Sequence, residues 1–108
     1  MTRKITRDYM TEFDVDSDIV TPLGMLLGIK IESLSCKKYN LISTTNKRNI
    51  DWLSFKLSND LENRTNKVYG ANKVREWMAG FCENMTYETM IHICAVFDIS
   101  IQELFNFN

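Results

Sequence analysis

From Leu23 onward, apolar side chains recur every three or four residues with polar ones between, the spacing that gives a helix one apolar face. Thr21-Pro22 marks a start, because a threonine hydroxyl accepts from first-turn amides and proline is pre-set for the first helical position. Leu23, Leu26, Leu27, Ile31 and Leu34 then give the inward side of a helix predicted over 22–34. Gly24 and Gly28, four residues apart on it, leave room for another backbone to come close in a packed core. Residues 36–49 are polar and aperiodic and read as a loop, with a short extended piece around Tyr39 to Ile42. Asn49 is the expected cap of a second helix that buries Ile50, Leu53, Leu57 and Leu61. Residues 58–70, SNDLENRTNKVYG, break the pattern and predict a long turn closing on Gly70.

The remaining helices are better bounded. A third is predicted over 71–79, with Val74, Trp77 and Met78 inward and Gly80 at its carboxyl end. A fourth starts after Thr86, places Glu88 where the helix dipole favours an anion, and carries Tyr87, Met90, Ile91, Cys94 and Phe97 at helical spacing. Asp98-Ile99 interrupts it, and Ser100-Ile-Gln-Glu103 has the form of a capping box opening a last short helix through Leu104 and Phe105. The expected fold class is all-α, a compact bundle of about five helices over 21–108, preceded by an acidic arm over 1–20.

Composition narrows the class. With 108 residues, 44% of them hydrophobic, the chain closes a single core. Its longest apolar stretch, Pro22 to Ile29, is about half too short to span a bilayer, so no membrane partner is expected. The opening MTRKITRDYMTEF has no apolar centre or small-residue cleavage site, so no secretory signal is read. Cys36, Cys82 and Cys94 are odd in number and form no CxxC pair, which points to free thiols and a cytoplasmic location.

The net charge of −1 conceals a pattern. Residues 1–29 sum to −2, residues 30–80 to +5, and residues 81–108, which lack Lys and Arg, to −4. A basic middle between acidic flanks attracts phosphate locally even when the whole chain is slightly acidic.

Residues 71–105 resemble the carboxyl half of the Cro/C1-type (XRE) helix-turn-helix domain, the lambda repressor-like fold. The likeness is carried by Val74-x-x-Trp77-x-x-Gly80, Thr86-Tyr-Glu-Thr-Met90, Ile93-Cys-Ala-Val-Phe97-Asp-Ile-Ser100 and Glu103-Leu-Phe105. Thr21-Pro22-Leu23-Gly24 is similar, more weakly, to the family's opening helix. Four departures stand out. Ile50-Asp51-Trp52-Leu53-Ser54 replaces the family's Gln-x-x-Leu-Ala, Met85 replaces a proline, the helix 2–3 connection reads as enlarged, and the helix 1–2 connection is also long.

The resemblance implies that the helix at about 71–79 lies in the major groove. With its apolar side turned inward, Asn72, Lys73, Arg75 and Glu76 become the candidate base contacts: Asn suits adenine, Arg and Lys suit guanine, and Glu accepts from cytosine. Arg64, Asn66, Lys67 and Tyr69 in the adjoining turn, and Thr86 at a helix amino terminus, are the candidate phosphate contacts.

Other chemistries are disfavoured. Asp14-x-Asp16-x-Asp18 opens like a calcium loop, but Ile19 stands at the glycine position and Met25 at the twelfth, where a carboxylate is needed. His92 is the sole histidine, and with Cys82 and Cys94 it falls short of a zinc ligand set, so no metal is expected. There is no Gly-rich phosphate loop and no Ser/His/Asp set, so neither a cofactor nor enzymatic activity is expected. The expected function is a sequence-specific transcriptional regulator of a phage or mobile element, bound to double-stranded DNA. A homodimer is expected if it reads a palindrome, with Phe105 and Phe107 on the last helix as a candidate surface. The alternative is a phage-type inhibitor, an antirepressor or anti-CRISPR protein, that uses a degenerate helix-turn-helix and the acidic arm against a protein partner.

Overall fold

The computed structural model describes residues 3–4, 14–15, 20–41 and 47–107. The protein is an all-α bundle of α1 (Pro22–Lys38), α2 (Lys47–Thr65), α3 (Ala71–Met78), α4 (Tyr87–Phe97) and α5 (Ile101–Leu104). One feature is not helical: β1 (Arg3–Lys4) pairs antiparallel with β2 (Asp14–Val15), a ladder of two residues a side that the hydrophobic pattern does not predict. The rest of the expected arm, up to residue 19, lies outside the described residues, as do the side chains of the supposed calcium loop.

Three helix starts follow from their caps. The side chains of Thr21, Thr86 and Ser100 accept from the amides of Gly24, Thr89 and Glu103, each three residues on. Gly80, at φ +102°, ends α3 in a backbone conformation that glycine adopts without strain.

Two boundaries differ from expectation. α2 begins at Lys47, so Asn49 lies within its first turn and is not its cap. It also runs to Thr65, through most of the predicted 58–70 loop, leaving a connection of only residues 66–70. The extra length is therefore inside the helix, and the helix 2–3 connection is not enlarged. Leu61 continues the Ile50–Leu53–Leu57 stripe at zero exposure, and its burial carries the helix past a stretch of Ser, Asn and Asp. Asn66, at φ 59°, closes α2 by donating its amide to the Glu62 carbonyl at 2.9 Å. Likewise α1 continues through Cys36 to Lys38 and turns at Tyr39–Asn40, where a loop is predicted; residues 42–46 lie outside the described residues.

Both α1 and α2 pack on α3, and α4 covers α2. Ile31, Ile50, Leu53, Leu57, Leu61, Val74, Met78, Ile93 and Leu104 form the closed core. The inward side of α1 is rotated from the predicted one. Gly24, Leu27, Gly28, Ile31 and Ser35 face in, while Leu23 and Leu26 stand 54% and 45% exposed. α4 is rotated too, with Thr89, Ile93, Cys94 and Val96 inward and Tyr87 and Ile91 outward. The buried hydroxyls of Ser35 and Ser54 are satisfied by the carbonyls four residues back, Ile31 and Ile50, at 2.8 Å each.

All three cysteines are free. Cys82 is buried, donates toward the carbonyls of Trp77 and Gly24, and its thiol is pushed up to about 12 by burial. Since the thiolate is the reactive form, Cys82 is expected to resist alkylation of the folded protein at pH 8, and the half-buried Cys36 to react first. Mass mapping of the labelled positions before and after denaturation measures the order, and early labelling of Cys82 would contradict this burial.

Candidate nucleic-acid interface

The site is built on α2, the turn 66–70 and α3. Its framework is fixed from below: Val74, Trp77 and Met78 anchor α3 in the core, and Ser54 on α2 contacts the Met78 sulfur at 3.9 Å. The turn is held at both ends. The Ser58 hydroxyl donates to the Tyr69 carbonyl, while the Tyr69 ring packs edge-on against Trp77 and His92 at centroid distances of 5.4 and 6.0 Å. The Tyr69 hydroxyl lies 2.8 Å from His92 Nδ1 and 3.4 Å from Thr89 Oγ1, so α4 braces the turn that orients α3.

Asn72 and Lys73 are exposed on α3 and Glu76 is half-buried, while Ala79, which helical spacing also predicts outward, is wholly buried at the end of the helix. Arg75 lies lower, its side chain 25% exposed: Nη1 donates to Asp51 Oδ1 on α2, and Nη2 to Asn72 Oδ1. Lys73 and Glu76 pair at 3.6 Å. The four residues are thus tied in two sets, Asn72–Arg75–Asp51 and Lys73–Glu76.

The candidate phosphate residues are more dispersed. Lys67 is exposed but bonds Glu88 at 2.6 Å, and this pairing raises the lysine and lowers the carboxyl from their ordinary values. Tyr69 is turned inward as described. Arg64 is in the last turn of α2, not in the turn between helices, and its charge acts on Tyr39 at the α1 side of that helix. Asn66 is exposed in the left-handed position that ends α2. Thr86 is exposed, with its hydroxyl oxygen engaged in capping α4. Ile50, at the position where the resembled family has a backbone-touching Gln, is wholly buried.

Two features of α2 have no counterpart among the predicted site residues. Asp51 is the partner that fixes Arg75. Phe55, one turn further along α2, is 51% exposed, and Trp52 is 43% exposed, with the Lys56 ammonium 5.7 Å from its ring centroid. A hydrophobic pattern that assigns only core positions leaves such outward aromatics unremarked.

Elsewhere, Phe105 and Phe107 are half-buried against the core and each other, with centroids 6.1 Å apart, so much of their surface is turned onto the body. Among the described residues, no three His, Cys, Asp or Glu side chains gather as metal ligands, and no helix is long and apolar enough to cross a membrane. No family model, curated protein or solved structure matches the chain.

Proposed function

We propose that this chain is a sequence-specific DNA-binding transcriptional regulator of the kind used by phages and mobile elements, with α3 as its reading helix and no catalytic role. The observation that carries the reading is the α2–turn–α3 unit. Its connection is five residues (66–70), comparable to the short turn of the Cro/C1-type domain it resembles, and α3 has its apolar side in the core, Asn72 and Lys73 outward and Glu76 half-buried beside them. With its side chains a helix is about 10–12 Å across, which fits a major groove about 12 Å wide. Selection from random duplexes at two salt concentrations tests it. The expected result is an enriched site whose affinity falls with salt by a log–log slope of about −0.9 per phosphate neutralised. Absence of any enriched duplex at low salt would defeat the reading.

A second reading, an inhibitor that binds a protein, is favoured by one specific observation. Lys67, Lys73 and Arg75 around α3 are each paired with an acid of this same chain, and α2 exposes Phe55 one turn along from Asp51, and Trp52 on its Tyr39 side. Such a surface is less cationic than its lysine and arginine content implies and offers aromatic anchors of the type enriched at protein interfaces. It predicts a protein partner whose capture is lost on Phe55→Ala and is insensitive to salt.

A further inference from the structure

The cations around α3 and those beside the end of α1 are in different states. Lys67, Lys73 and Arg75 are each paired with an acid. Lys37, Lys38 and Lys56 have no acid partner among the described residues. Two of these three lie against aromatic rings instead. Lys56 Nζ is 5.8 Å from the Tyr39 ring centroid and 5.7 Å from that of Trp52, and Lys38 Nζ is 6.0 Å from Tyr39. The two rings meet edge-on at 6.3 Å, and Tyr39 is fixed by donating its hydroxyl to Asp60, which engages that carboxylate within the protein. Trp52 is 43% exposed beside these neighbours, whereas Trp77 is 3% exposed in the core.

An exposed indole among unneutralised ammoniums offers a flat π surface and positive charge at one place. Double-stranded DNA would use the charge alone, because its bases are already stacked on one another. An acidic protein segment would use the charge too, but protein interfaces that are rich in aromatics are depleted of lysine. A single strand uses both features: its phosphates take the ammoniums and an unstacked base takes the ring. We propose that Tyr39, Trp52, Lys38 and Lys56 form a second nucleic-acid surface, which binds single-stranded DNA or RNA by stacking a base on Trp52. This surface is separate from the reading helix α3, and failure of duplex selection there would leave it standing.

The test is titration of the full-length protein with oligothymidylate at low salt, followed by tryptophan fluorescence and by anisotropy of a labelled strand. Each variant is first checked for helicity by circular dichroism. Wild type is expected to show saturable quenching, since Trp52 is the exposed member of the two tryptophans. Trp52→Ala is expected to abolish the quenching and weaken binding roughly tenfold, the scale of one lost base stack. Trp52→Phe keeps a ring and is expected to recover most of that affinity by anisotropy. Replacing both Lys38 and Lys56 by Ala is expected to flatten the log–log salt dependence by about 1.4, at about 0.7 per phosphate of a single strand. No binding of oligothymidylate at low salt, or binding that Trp52→Ala leaves unchanged, would overturn the proposal. Equal quenching by polyglutamate would also overturn it and give the surface to an acidic protein segment, and equal quenching by a duplex of matched length would reduce it to charge alone.

Discussion

Gly28→Ala is expected to lower the thermal midpoint by on the order of 10 °C or more. A Cβ at Gly28 falls 2.5 Å from the Trp77 carbonyl oxygen, 2.9 Å from that of Met78 and 3.0 Å from the Gly80 nitrogen. All three are main-chain atoms at the carboxyl end of α3, so no rotamer change relieves the overlap. Overpacking typically costs about 1–3 kcal/mol, and a clash with fixed backbone belongs at the upper end. Each kcal/mol moves the midpoint of a domain this size by roughly 4–8 °C. Gly70→Ala is the control: nothing lies within 4 Å of its Cβ and its φ is −61°, so the midpoint should stay or rise slightly. Circular dichroism melts of the two variants decide the matter, and equal midpoints would mean that α1 does not cross the end of α3 as described.

Leu61→Ala is expected to cost about 2–5 kcal/mol, the range for truncating a fully buried leucine. Leu61 has zero exposure in the part of α2 where composition predicts a loop. Denaturant titration gives the loss directly. A change within about 0.5 kcal/mol, ordinary for a surface position, would restore the loop in place of the helix.

Local signals were legible in the sequence and crossings were not. Thr21, Thr86 and Ser100 announce their helices because a cap is a contact over three residues, and Val74, Trp77 and Met78 mark the inner side of α3 because one short helix is enough to define them. The end of α2 is hidden from the sequence because Ser58, Asn59, Asp60 and Asn63 are turn-formers by propensity, and tertiary burial of Leu61 outweighs that preference. On α1 the Gly24–Gly28 spacing does predict the close backbone approach, and that approach turns the glycines to the centre of the inner face and Leu23 and Leu26 outward, which leucine content alone does not show. At the candidate site, the outward placement of Asn72 and Lys73 followed from periodicity. The engagement of Arg75 did not, because Asp51 is 24 residues away and meets it only through the α2–α3 crossing.

The join between α1 and α3 also determines how freely each helix can drift in sequence. Gly24 and Gly28 meet the carbonyls of Gly80, Trp77 and Met78, so the two helices are registered largely by main-chain atoms. Main-chain atoms are common to every amino acid, so on this side of α3 the contact itself does not select side chains, while Val74, Trp77 and Met78 hold its other side in the core. The constraint falls instead on two positions of α1 where a side chain is forbidden. Around them Leu23, Leu26 and Ile29 face away from the join and are open to replacement, giving a helix that is intolerant at its glycines and at the buried Leu27 and permissive at these three outward positions.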